Sequence, residues 1–197
     1  MARPREFDET AVLDAAVYRF WLRGYEATSV RELAQSMGMT GASLYNAFGD
    51  KRTLFRRALA HYVERSFGDR VSRFEATRPP KEAIAAFFRE IVSRSLSDKE
   101  RKGCLLVNSA LEVAPHDPEF REAIADVLVQ VEAFFRRCVT AGQRSGEISE
   151  AQSAEDLARL LLATLLGIRV LARSRPERAL LEGVVRPALA LLEPGRR

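Results

Sequence analysis

Nowhere along the 197 residues do apolar and polar side chains alternate with the two-residue period of a half-buried strand. Glycine and proline are scarce inside the stretches rich in Ala, Leu, Glu and Arg whose apolar positions recur every three to four residues. The chain therefore reads as all-α.

Local punctuation places the helices. Asp8 reads as the N-cap of a first helix, with Phe7 and Val12 as a hydrophobic staple. That helix runs to about Gly24, and its stripe of Val12, Leu13, Ala16, Val17, Phe20 and Trp21 would anchor a small core. Ser29 with Glu32 three positions on is a capping-box signature for a helix of barely two turns, Val30 to about Met37. Gly38 supplies a residue able to take positive φ, and Thr40 caps a third helix over about 41–47. Asp50 caps a long fourth helix, Lys51 to about Glu75, which Pro79 and Pro80 break. Further helices are expected over about 81–97, 104–114, 118–145, 154–174 and 177–192. Asp117-Pro118, Ser145-Gly146 and Ser153 with Asp156 mark their starts and stops. The organisation is a small head, residues 6–66, joined through the fourth helix to a larger helical body, residues 67–197.

Composition narrows the function. Of the residues, 47% are hydrophobic and 29% charged, and the longest nearly apolar run, Leu160 to Ile168, is too short to span a bilayer. Met1 to Asp8 carries no apolar stretch, so no signal peptide is read and a cytoplasmic location is expected. Two cysteines, Cys104 and Cys138, make no disulfide framework in a chain of this size and read as reduced thiols. A net charge of +4 permits a polyanionic partner without requiring one. The first 60 residues hold nine basic against seven acidic side chains, so an argument for nucleic acid rests on where particular groups sit.

The segment GMTGASLYNAFGDKRTLF, residues 38–55, provides that argument. Two short helices joined by a glycine-containing turn describe a helix-turn-helix, here about 29–48, whose second helix enters the DNA major groove. Ala34 sits where the helices approach, and Leu33, Met37, Met39 and Leu44 face inward. Thr40, Gly41, Ser43 and Asn46 give the third helix a slim polar outer face, while Leu44 and Phe48 pin its inner face to Trp21 and its neighbours. Lys51 and Arg52 stand at the N-terminus of the fourth helix, where free N–H groups and the helix dipole favour a phosphate. Tyr45 would reach the sugar-phosphate backbone, and Thr28 and Arg31 a second phosphate; such contacts position rather than specify.

The stretch GYEATSVRELAQSMGMTGASLYNAFGDKRTLF resembles the N-terminal domain of the TetR/AcrR family of bacterial transcription regulators. The resemblance covers roughly the first 60 residues and rests on the Gly-Tyr after the first helix, the Thr-Ser before the second and the Leu-Tyr-x-x-Phe-x-x-Lys run from Leu44 to Lys51. It implies an all-helical homodimer whose first three helices bind a double-stranded DNA operator and whose remaining helices hold a small-molecule effector and the dimer interface. Two positions depart from the family pattern: Ala47 stands where histidine is frequent, and Gly41 where a longer polar side chain is common.

In the body, the helix from Ala154 to Ser174 is apolar almost all round, and the next carries Leu180, Leu181, Val184, Val185, Leu189 and Leu192. A two-fold dimer through both helices satisfies this excess, as does two-sided burial within one chain. Phe87, Phe88, Ile91, Val107, Asn108, Leu111, Glu112, Phe134, Phe135 and Cys138 either line an effector cavity or form ordinary core. Cys104, beside Arg101, Lys102 and Gly103 near a helix start, has neighbours that favour a thiolate, and RKGCLLVNSALEVAP is similar to a family branch that senses electrophiles and oxidants through that cysteine. The alternative is an inert buried thiol. His61 and His116 stand apart, with no nucleophile–base order, metal-ligand spacing or phosphate-binding glycine loop beside them. The reading is a regulator, not an enzyme, without cofactor or metal. The competing readings are a helical small-molecule binder or enzyme without DNA, and a non-specific nucleoid protein.

Overall fold

A computed structural model of the protein describes residues 8–194, and among these there is no strand. The helices are α1 (Glu9–Arg23), α2 (Val30–Ser36), α3 (Gly41–Phe48), α4 (Lys51–Val63), α5 (Asp69–Thr77), α6 (Pro80–Ser97), α7 (Leu105–Glu112), α8 (Pro118–Ser145), α9 (Ala154–Ser174) and α10 (Arg178–Ala190). Phe7, the proposed staple residue, lies outside the described residues. No described helix is long and apolar enough to cross a membrane.

The cap residues act as their chemistry dictates. Ser29 Oγ accepts the N–H of Glu32 at 3.2 Å while Glu32 Oε2 accepts that of Ser29 at 2.9 Å, completing the capping box. Asp8, Thr40, Asp50, Asp117 and Ser153 each accept backbone N–H groups of the helix they start. At the end of α2, Met39 N–H returns to the Ala34 carbonyl at 2.9 Å and Gly38 N–H to that of Gln35 at 3.3 Å. This pair of bonds needs a left-handed residue between them, and Gly38 supplies it with φ 65°.

The fourth helix has the expected extent but not the expected winding. A π-helical turn, Glu64–Gly68, links α4 to α5 without interruption, so one rod continues to Thr77. The boundary read at residue 66 falls inside that turn.

Two hydrophobic clusters hold the molecule. The head cluster joins α1–α4 to Leu105, Leu106, Val113, Ala114, Phe120 and Ile124 of the body. Phe55 carries the junction: its ring lies 4.8 Å from those of Phe20 and Tyr25 and 5.2 Å from that of Phe120. The second cluster packs α5, α6, α8, α9 and α10 around Phe87, Phe88, Phe134 and Phe135. Each such phenylalanine, fully buried, stabilises by about 1.5–3 kcal/mol. Leu44 and Phe48 are buried in the head cluster as expected, but Trp21 turns toward the body, its ring edge-on to Tyr62 at 4.9 Å.

The apolar excess on α9 divides among three faces. Leu157, Leu161, Leu165 and Ile168 are buried, Leu162 and Leu166 border an internal cavity, and Leu160, Ala163 and Val170 face outward. Leu160 is 39% and Val170 50% exposed, which one copy of the chain leaves uncovered.

Candidate nucleic-acid interface and the cavity behind it

α3 separates its two faces cleanly. Leu44 and Phe48 are buried, whereas Thr40, Ala42, Ser43, Tyr45 and Asn46 are exposed. The Thr40 hydroxyl accepts the Ser43 N–H at 3.1 Å and pairs with the Ser43 hydroxyl at 2.8 Å, which orients both at the helix start. Gly41 is half-buried, and a Cβ added there would meet nothing within 4 Å. Tyr45 is 52% exposed, and Arg31, the second residue of α2, is exposed and borders the same shallow depression as Gly41.

Lys51 stands where the sequence puts it, at the first position of α4. Its Nζ donates to the Glu26 carbonyl at 3.3 Å and sits 4.4 Å from the Tyr25 ring centroid, so its charge is held at the rim of the head. The other member of the basic pair does something else. Arg52 turns to the body, pairing with Asp117 at 2.8 Å and Glu119 at 2.9 Å. Thr28 is also corrected: it is 1% exposed and its hydroxyl donates to the Gly24 carbonyl at 2.6 Å, so this side chain does not face a phosphate. The sequence shows Thr28 as a polar residue before a helix and carries no local sign that a carbonyl four residues back claims it.

Behind the head, a narrow cavity of about 50 Å³ lies between α4, the π-turn, α6, α7, α8 and α9. Its wall includes Tyr62, Phe67, Phe87, Ile91, Cys104 and Leu165. Of the residues expected to line an effector site, Phe87, Ile91, Val107 and Cys104 do so. Phe88 and Phe135 instead stack face to face, 5.6 Å apart at 7°, in the body core. Cys138 is buried in that same core, and burial, with the nearby Glu75 charge, pushes its thiol up to about 12, which leaves no thiolate. Asn108 and Glu112 do not line the cavity: Asn108 Nδ2 donates to the Lys102 carbonyl at 2.9 Å within the body, and Glu112 Oε1 accepts the Glu26 N–H at 2.9 Å across the head–body seam.

Cys104 is the N-cap residue of α7, where its Sγ accepts a hydrogen bond from the Tyr62 hydroxyl at 3.5 Å. Lys102, one of the two cations expected to act on it, is taken by Asp98 at 2.8 Å and Glu100 at 2.6 Å. Burial pushes the Tyr62 hydroxyl up, so it remains a donor. Sequence reasoning missed Arg70 and Arg169, which border the cavity, and the π-turn that carries Ser66 and Phe67 into its wall. Arginines on helical stretches read as solvated surface, and only packing reveals otherwise.

Residues 12–58 match the family described as bacterial regulatory proteins, tetR family, and residues 80–187 match the tetracyclin repressor-like C-terminal domain. The chain is 35% identical over 98% of its length to the whole of YezE, an uncharacterized HTH-type transcriptional regulator of Bacillus subtilis strain 168. It is 29% identical, over 87% of its own length and 82% of the relative's, to the HTH-type transcriptional repressor ComR of Escherichia coli strain K12. Among solved structures, a cysteine mutant of the TetR family regulator CifR in complex with 26-bp double-strand operator DNA is similar at TM-score 0.84 and 36% identity, covering 95% of this chain and 98% of that one. The reduced form of Escherichia coli NemR shares the fold at TM-score 0.86 and 18% identity, covering 96% and 100%. With a helix α3 whose outer face is exposed and polar and whose inner face is buried, and with matches that span both the head and the body, the chain belongs to the TetR family and is a DNA-binding transcriptional regulator rather than an enzyme.

Proposed function

We propose that the protein represses transcription as a homodimer, each protomer laying the outer face of α3 in the major groove of a pseudo-palindromic operator. A small molecule in the cavity behind the head, or a thiol-reactive one reaching Cys104 in its wall, releases the DNA. The observation that carries this reading is the division of α3 into a wholly buried apolar side and an exposed, hydrogen-bonding one. Thr40, Ser43 and Asn46 read base edges, and Gly41 lets the backbone approach closely. Arg31, Tyr45 and Lys51 take phosphates; Lys51 spends one of its three donors on Glu26 and keeps the others for the DNA. A relative 36% identical to this chain is known on operator DNA, which supports the reading.

The second protomer covers the outward face of α9. Leu160, Ala163, Gly167 and Val170 recur at helical spacing there, and small residues among them allow two helices to cross closely. Such a dimer presents two copies of α3 to half-sites about 34–36 Å apart, or a multiple. Release follows if the effector fits a protomer arrangement with the wrong spacing better than the operator-bound one. The continuous rod from Lys51 to Thr77 is the lever, since its π-turn walls the cavity and its first turn carries Lys51 and Arg52.

Selection of bound sequences from random duplex DNA with the full-length protein tests this directly. A two-fold related motif is expected, and recovery of DNA without sequence enrichment would leave non-specific binding as the better account.

A further inference from the structure

The cavity has a charged neck. Tyr62, Ser66, Arg70 and Arg169 border both the apolar chamber and a wider open cleft of about 580 Å³ outside it, so these four side chains stand between the two. Inside the neck the wall is apolar and largely aliphatic, with Phe67 and Phe87 among its members, and no acidic side chain borders the chamber. The cations at the neck are unequally compensated. Lys102 takes Asp98 and Glu100, and Arg70 and Arg94 share the Glu90 carboxylate with Arg73. Arg169 has no carboxylate partner among the described residues; its guanidinium holds the buried Ser95 hydroxyl at 3.4 Å. The Trp21 indole N–H, buried and without an acceptor, borders the same cleft.

A half-buried guanidinium facing an apolar chamber favours a molecule that brings its own negative charge. A cationic ligand meets Arg70 and Arg169 at the entrance, and a neutral apolar one leaves the Arg169 charge without a counter-ion while displacing its water. The π-turn adds to this, because the extra residue per turn carries Ser66 and Phe67 into the neck and chamber, and such turns cluster at functional sites.

We propose that the effector is a monocarboxylate with an apolar body of roughly two or three carbons, the size a chamber of about 50 Å³ admits, its carboxylate on the Arg169 guanidinium at the neck and its body among Phe67, Phe87 and Leu165. The inference rests on the reading of this cavity as the effector site. Arg169 sets specificity; Arg70, locked to Glu90, shapes the neck and adds its field.

The test uses three near-isosteric probes, propionate, 1-propanol and n-propylammonium, titrated calorimetrically into the full-length protein and added to its complex with a selected operator. Propionate is expected to bind and to release the operator, with the alcohol and the ammonium at least ~10-fold weaker. Arg169→Gln is expected to weaken propionate by roughly 10- to 100-fold, the effect of losing a charge-assisted hydrogen bond, and Arg169→Lys to recover part of it. Equal binding of all three probes, binding of none, or an unchanged Arg169→Gln affinity overturns the inference. Melting curves establish that the variants fold; were Arg169→Gln not to fold, the discrimination among probes by the wild-type protein still decides. A protein that holds its operator but ignores propionate refutes the carboxylate alone, whereas one that selects no operator refutes the repressor reading.

Discussion

Arg52 grips Asp117 with two hydrogen bonds, Nε to Oδ2 at 2.8 Å and Nη2 to Oδ1 at 3.1 Å, tying the second residue of α4 to the N-cap of α8. Beside this clip, Glu26 is held from both sides: its N–H by Glu112 at 2.9 Å and its carbonyl by Lys51 at 3.3 Å. The α7–α8 turn thus meets the head at two points next to Lys51.

Replacing Asp117 with Asn separates the clip from the cap, since asparagine caps a helix as well as aspartate does. The fold and melting profile of Asp117→Asn are expected to stay close to wild type. Amide hydrogen exchange should quicken at the start of α4 and in the Gly24–Ser29 loop while the body stays protected. Equal acceleration throughout the body would show that the pair is not a local clip.

Gly24 is a second sensitive point on the same seam. It takes φ 84°, and a Cβ there would lie 2.7 Å from Glu112 Oε2. Gly24→Ala combines backbone strain with displacement of Glu112 from Glu26, and a loss of about 1–3 kcal/mol is expected in denaturant unfolding. Glu112→Ala in the same chain relieves the clash but not the φ, so only part of the loss should return. Complete recovery would assign the whole effect to the clash.

The acid side of the stability curve should report Glu90. Burial pushes its carboxyl up, but the Arg70 hydrogen bond and charge, with Arg73 and Arg94 beside it, outweigh burial and hold it below the usual range. A carboxylate lowered in the folded state contributes its full stability above the unfolded value of about 4.3, and loses it as pH falls through the folded value. Glu90→Gln should flatten that part of the melting-temperature profile. At neutral pH it leaves the buried Arg70 with a neutral partner, a cost on the order of 3 kcal/mol. An unchanged acid limb would place the sensitive carboxylates elsewhere.

Phosphate contacts are separable from base contacts by salt. Tyr45→Phe and Lys51→Ala should each weaken operator and unrelated DNA alike. Loss of the Lys51 contact should flatten the slope of log affinity against log salt by about one unit. A slope unchanged in Lys51→Ala would mean that its ammonium stays on Glu26 and Tyr25 in the complex.

What the sequence discloses depends on how far each signal reaches along the chain. Ser29 with Glu32, Asp50 and Asp117 act within a few residues of themselves, so the helices they start were legible, and α8 and α9 begin and end where their punctuation puts them. The polar face of α3 was legible for the same reason. Arg52 was read as a phosphate ligand because its true partner is 65 residues away. Phe87 and Phe88 are neighbours on one helix, yet one borders the chamber and the other stacks on Phe135, a difference fixed by how α6 and α8 pack. The π-turn has no signature in Glu64–Gly68 itself, and with it the chamber wall stayed out of view.

The most direct measurement of the whole account compares Ser43→Ala/Asn46→Ala with Leu44→Ala on a selected operator and on scrambled duplex of the same length. The double variant should keep wild-type stability and salt slope and lose about 1–3 kcal/mol per base contact on the operator, with scrambled DNA unaffected. Leu44→Ala, cut into a side chain buried in the head, should cost about 2–5 kcal/mol of stability. A double variant that binds the operator as tightly as wild type would contradict the placement of α3 in the groove.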